Sequence, residues 1–226
     1  MKTLLSSYLL FQISWTQISL QYGDVSYSWK IWEILTAQYE YKNLEYFLGQ
    51  IDEPNRAAAK NLLETYKDII NTAKWSQVKH QAWEWWYRDH LQEICNIAWE
   101  MYCTFNKRRK LPFSFSDVIL VLFLHDLEKP FKYAWSEEQK EQLKSYWKNY
   151  QQFIVDTASQ FWFTLSEDHL NALKYIHWEG DEHNPTERIQ KPLAAFVHDC
   201  DTWSARWWPE HPQRHGETWG SRSVKK

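Results

Sequence analysis

Glycine and proline are scarce in this chain of 226 residues, which holds 5 of the first and 7 of the second. Those residues supply tight turns and sheet corners, so their scarcity argues against a β-sandwich and for helices. Cysteine is rarer still. Cys95, Cys103 and Cys200 form an odd set without C-x-x-C spacing, which suggests neither a disulfide framework nor a structural zinc site and suits a reducing cytoplasm. No apolar run reaches the length needed to span a bilayer. Residues 1–20 are interrupted by Ser6, Ser7, Gln12, Ser14, Thr16 and Gln17 and show no small-residue cleavage pattern, so an amphipathic helix of the fold is expected there. An excess of one charge is missing too. With 26 basic and 29 acidic side chains the formal net charge is -3, too weak a field to demand nucleic acid or an anionic membrane as partner. The local basic run Lys107, Arg108, Arg109 and Lys110 is expected to be a solvated loop between helices.

Tryptophan, by contrast, is plentiful, with 16 residues. Many must pack in a core, yet adjacent pairs such as Trp85-Trp86 and Trp207-Trp208 cannot both point inward from one helix. Part of that surplus is available to stack on a base or to cover a partner.

Helical periodicity organises most of the chain. The expected helices run over 25–48, over 56–75 after the turn-forming Asp52, Glu53, Pro54 and Asn55, and from near residue 77 through 90–102. The next carries the apolar run 118–124, capped by Ser114 or Ser116. A long polar helix over 136–163 follows, then one from Ser166 to about His177, an acidic loop over 179–187, and a last core helix over 191–207. The reading is one all-α core over 77–208, with additional N-terminal helices over 1–76 and a polar tail over 209–226.

The chemistry concentrates at the end of the apolar run. Residues 118–124 are apolar on nearly every face, so that helix should be buried and its last turn should place His125 and Asp126 at the edge of the core. Burying an imidazole and a carboxylate is costly without compensation, and a shared metal ion compensates both at once. Taken alone, such a pair also fits a helix end with a satisfied histidine. Two other segments bear on it. His90 opens an amphipathic helix, and the apolar helix Leu193-Ala194-Ala195-Phe196-Val197-His198-Asp199-Cys200-Asp201-Thr202-Trp203-Ser204-Ala205-Arg206 carries acidic residues inside it.

The order of a histidine, then His-Asp, then a distant aspartate followed by Ser-Ala-Arg resembles the HD-domain superfamily over residues 77–207. The resemblance implies an all-helical bundle and a metal-dependent phosphohydrolase. It makes His90 the first ligand, His125 and Asp126 the doublet, and Asp201 the distal aspartate, with Asp199 as competitor. Lys129 matches a lysine that many members keep three residues beyond the doublet's aspartate, whereas Glu128 departs from a common glycine. His177 and His183 lie where two-metal members add ligands, although a helix-end residue and a loop residue would also suit those positions.

One or two divalent ions are implied, with manganese, iron, cobalt, nickel, zinc or magnesium all compatible with the donor set. The expected activity is metal-assisted hydrolysis of a phosphoester or phosphoanhydride in a small nucleotide, by a nucleotidase, a nucleoside-triphosphate hydrolase or a cyclic-nucleotide phosphodiesterase. Lys129 and Arg206 would offset phosphoryl charge. Glu128, Glu179, Asp181 or Glu182 would assist proton transfer, and Trp178 or Trp203 would stack on a base. The alternatives are a non-catalytic HD-fold protein binding a protein partner through its aromatic surface, and a di-iron oxygenase of the same fold. A homo-oligomer is compatible with either.

Overall fold

Apolar and polar residues alternate strictly near the start of the chain: Phe11 and Ile13 against Gln12 and Ser14, Ile18 and Leu20 against Ser19 and Gln21, Val25, Tyr27 and Trp29 against Ser26 and Ser28. In the computed structural model these residues form three strands, β1 (Leu10–Ser14), β2 (Gln17–Tyr22) and β3 (Val25–Lys30). They make an antiparallel meander that pairs Ile13 with Ile18 and Leu20 with Tyr27. This corrects the amphipathic helix expected over 1–20 and the helix expected to begin at residue 25. A two-residue period rich in aromatic and β-branched side chains gives a strand one apolar face, whereas a helix would scatter the same residues around its axis. Tyr22 pairs with Val25 at the end of the β2–β3 ladder.

The structure describes residues 10–14, 17–22, 25–30, 41–72, 86–133, 137–146 and 149–207. The chain divides into two compact units, Met1–Glu40 and Tyr41–Lys226. The strands belong to the first unit, and all regular structure described in the second is helical. The N-terminal block expected over 1–76 is therefore split: α1 (Leu44–Leu48), α2 (Asn55–Thr65) and α3 (Lys67–Thr72) belong to the helical unit. Leu44, Phe47, Leu48, Ile51 and Leu62 are buried in its core. Residues 73–85, where a helix was expected to start near residue 77, and the tail over 209–226 lie outside the described residues.

The helical unit is built around α5 (Phe115–Leu124), in which every residue from Val118 to Leu124 is buried. Each such side chain stabilises the fold by on the order of 1.5–3 kcal/mol. Ser114 caps the helix in a reciprocal pair with Asp117. Asp117 also bonds His169 Nε2 at 2.9 Å, where Ser166 and His169 cap α9 (Glu167–Tyr175) in the same manner. One carboxylate thus ties two helix starts together, and its hydrogen bond to His169 holds the Asp117 carboxyl down at about 2.

Around α5 pack α4 (Trp86–Arg108), α9 and α10 (Pro192–Trp207). Lys107 and Arg108 continue α4 through its last turn, where cations suit the helix dipole, so only Arg109 and Lys110 follow the helix; all four are exposed. The remaining elements are α6 (Glu128–Lys132), α7 (Glu137–Lys144) and α8 (Tyr150–Gln160). The long helix expected over 136–163 is thus two helices, because the Asn149 side chain accepts the Gln152 backbone N–H and starts α8 afresh. The helix expected over 56–75 breaks at Tyr66, whose ring packs edge-on against Phe131 with centroids 4.9 Å apart. Among the described residues no helix is long and apolar enough to cross a membrane.

Candidate metal centre

His125 ends α5 as its C-cap, and its backbone N–H still bonds Val121 O at 2.9 Å. The chain then turns through Asp126 and Leu127 directly into α6, with Lys129 N bonding Asp126 O at 2.9 Å. Both side chains of the doublet are buried. His90 comes from the second turn of α4, Asp201 from the middle of α10, and His177 from the segment just after α9. Their donor atoms converge. His90 Nε2 lies 3.3 Å from Asp201 Oδ1, and His125 Nε2 lies 3.5 Å from Asp126 Oδ2 and 3.7 Å from Asp201 Oδ1. His177 Nε2 lies 3.3 Å from Asp126 Oδ1 and 3.9 Å from Asp201 Oδ2.

Two overlapping sets, His90 with His125 and Asp126, and His125 with His177 and Asp201, could each hold a metal ion, their ligand atoms lying within 4.8 Å of one another. The spacing fits. Donors about 2.1 Å from a shared ion stand about 3.4 Å apart at a tetrahedral angle. The cluster also contains two buried atoms, His125 Nε2 and Asp126 Oδ1, that make no hydrogen bond of good geometry among the described residues and have only facing carboxylates and the His177 imidazole near them. Leaving such atoms unsatisfied in a core costs about 1–3 kcal/mol each, and a cation supplies what both lack.

The second nitrogen of His125 makes the tautomer legible. Its Nδ1 lies 2.8 Å from the carbonyl of Leu122, which can only accept, so Nδ1 carries the proton and the Nε2 lone pair faces the carboxylates. With no cation between them, those carboxylates instead favour a second proton. Burial opposes charge on His125, but Asp126 and Asp201 outweigh it and push this imidazole up to about 9. His177, although its side chain is 54% exposed, is also raised, again against its own desolvation, chiefly by Asp126. Burial works against the charge of Asp126 and Asp201 as well, yet the facing imidazoles hold both carboxyls well below the usual range.

Lys129 Nζ stands 3.8 Å from Asp126 Oδ1 and 3.9 Å from Glu128 Oε1. Burial would lower this amine, but the two carboxylates keep it raised. Glu128 is buried, and desolvation followed by repulsion from Asp126 lifts its carboxyl to about 7.

No family model, curated protein or solved structure matches this chain significantly.

Two expected site residues stay apart from the cluster. His183 Nδ1 pairs instead with Glu179 Oε2 at 2.8 Å on the surface, because the 3-10 turn Gly180–Glu182, with Gly180 at a positive φ of 56°, folds the loop back on itself. That pairing engages Glu179, and Glu182 is engaged by Lys174 and Tyr175, each at 2.6 Å. Arg206 is exposed in the last turn of α10 and joins none of the cluster's ion pairs. Between the competing aspartates, Asp201 faces the histidines and Asp199 faces solvent. Trp178, next to His177, is 68% exposed, and Trp203 stacks on Trp207 at 4.4 Å.

Sequence reasoning missed three participants. Glu93 and Ser204 are buried behind His90, and Tyr87 is buried beside Asp126 and Glu128, its hydroxyl raised by desolvation and then by those carboxylates. A signal for the first two existed: Glu93 follows His90, and Ser204 follows Asp201, by three residues, the spacing that shares one helix face.

Proposed function

We propose that this chain is a metal-dependent phosphohydrolase of the HD type, acting on a phosphoester or phosphoanhydride bond of a nucleotide. The observation that carries the reading is the meeting of His90, His125, Asp126 and Asp201, drawn from three separate parts of the helical unit, with ligand-length spacing and buried atoms in need of a cation. A divalent cation bound there supplies Lewis acidity toward a phosphate oxygen and a water acidic enough to deprotonate near neutral pH. The protein's own residues do the rest. His177 stands on the open side of the cluster, where a substrate enters. Lys129, close to Asp126, holds positive charge where phosphoryl oxygens gather negative charge. Glu128, a buried carboxyl beside Lys129 whose proton affinity burial raises, is placed to give or take a proton. Exposed Trp178 offers a stacking face for a base.

The test is to strip purified protein of metal, reload it separately with manganese, iron, cobalt, nickel, zinc or magnesium, and offer linear and cyclic nucleotides. Hydrolysis with at least one ion, lost in a His125→Ala, Asp126→Ala variant that keeps its helical circular dichroism, is the expected result. Protein that retains no metal and cleaves none of the panel overturns the proposal. Iron-dependent oxygen consumption in place of hydrolysis would favour an oxygenase built on the same cluster.

A further inference from the structure

Behind the candidate ligand His90 lies a buried polar chain that a helix interface does not need. Glu93 sits on α4 three residues beyond His90, and Ser204 on α10 three residues beyond Asp201, so both point into the contact between these helices. His90, Glu93 and Ser204 are all buried. Ser204 Oγ donates to Glu93 Oε2 at 2.5 Å, and His90 Nδ1 lies 3.2 Å from the same hydroxyl oxygen.

A serine hydroxyl has one proton. With Glu93 ionised, as at the pH 8 of the test below, that proton is directed to the carboxylate, the hydroxyl meets His90 with a lone pair, and His90 Nδ1 is the donor. The other ring nitrogen, Nε2, is thereby left with its lone pair toward Asp201 Oδ1, 3.3 Å away. The chain Glu93, Ser204, His90 thus has one direction of donation, and it selects the tautomer that binds a cation. A carboxylate at its far end also makes the imidazole a stronger donor of electron density.

We infer that Glu93, acting through Ser204, is a positioning residue that sets the tautomer and metal affinity of His90. The inference rests on the metal-centre reading above. The rival account is fastening of α4 to α10, but an apolar pair would fasten them without the cost of burying a carboxylate. The neighbouring contact, Cys200 Sγ to Met101 Sδ at 3.7 Å, shows that this interface accepts weakly polar side chains.

The experiment is zinc affinity at pH 8, measured by competition with a chromophoric chelator on the full chain. It is paired with long-range proton–nitrogen spectra of histidine-labelled, zinc-loaded protein and with melting of the metal-free form. Ser204→Ala is expected to weaken zinc binding by about 10–100-fold and to shift or broaden the His90 Nδ1 proton signal. Ser204→Thr, which keeps the hydroxyl, should restore affinity to within a few-fold of wild type. Glu93→Gln should fall between the two, and it keeps the question open to measurement if Ser204→Ala does not fold. Unchanged zinc affinity and unchanged histidine signals in Ser204→Ala and Glu93→Gln, with only a lower melting temperature, would show fastening and overturn the inference. Wild-type protein that binds no zinc would overturn the metal-centre reading itself, and the inference with it.

Discussion

Raising the pH from 7 to 9 should act oppositely on the folding and on the metal binding of this protein. His125 is fully buried, and Asp126 and Asp201 overcome its desolvation to push it up to about 9, against about 6.5 for an unfolded histidine. A pKa raised by folding stabilises the folded state fully below the unfolded value, and that contribution is lost as pH climbs through the folded one. The gap of about 2.5 pH units, at about 1.4 kcal/mol each, is worth about 3.5 kcal/mol, most of it lost from metal-free protein between pH 6.5 and 9. His177, raised in the same direction, adds to the loss. Glu93 and Glu128 are both lifted to about 7, so most of their titration is complete before the upper part of that window. The same proton competes with a cation for His125 Nε2, so affinity should rise about tenfold per pH unit below pH 8 and about 50-fold in all from pH 7 to 9. The assay is urea unfolding of metal-free protein at pH 7, 8 and 9 beside manganese titrations in non-coordinating buffers. Stability that does not fall, together with affinity constant to within twofold, would refute the account of a proton held among facing carboxylates.

The remaining predictions separate cluster from scaffold. Asp201→Asn should reduce metal affinity by more than the about 10–100-fold typical of an outer-sphere change, whereas Asp199→Asn, at a solvent-facing position, should leave it within twofold. Leu120→Ala, in the middle of buried α5, should lower the unfolding free energy by about 2–5 kcal/mol, read from urea midpoints of metal-free and metal-loaded protein alike. Trp162 is 83% exposed and has a positive φ of 67°, a conformation costing a non-glycine residue roughly 1–2 kcal/mol. Trp162→Gly should therefore raise stability by about 0.5–1 kcal/mol, and a destabilised variant would show that the indole makes a contact worth more than the strain. Because Asp117 is held at about 2 by His169 and the Ser114 cap, its contribution is present above the ordinary carboxylate range and is lost as pH falls from about 4 through 2. Asp117→Asn should flatten that acid limb.

Local pattern was legible where one element settles its own structure. The apolar run 118–124 forms a buried helix because no face of it can turn to water, and Ser114 and Ser166 start helices where their hydroxyls can accept an N–H. The strands were legible too, in the alternation from Phe11 to Trp29, but a helix-rich composition drew the reading toward helices. The expected helices over 56–75 and 136–163 each proved to be two. Their breaks depend on where the Tyr66 ring packs and on whether the Asn149 side chain bonds its own backbone, choices that periodicity does not encode.

The sequence by itself determined which chemical groups sit at which turn of which helix. His125 and Asp126 close an apolar helix, and a three-residue spacing aligns Glu93 with His90 and Ser204 with Asp201. Only the tertiary structure decided which of these groups meet. Asp199 and Asp201 stand about 200° apart around one helix, so the packing of α10 against α4 and α5 turns Asp201 inward and leaves Asp199 in water. His183, near in sequence to His177, folds away to Glu179, while His90, over a hundred residues from Asp201, lies 3.3 Å from it. Tautomers and proton affinities follow the same rule, because each depends on the carbonyl, hydroxyl or carboxylate that another element brings to the far side of the ring.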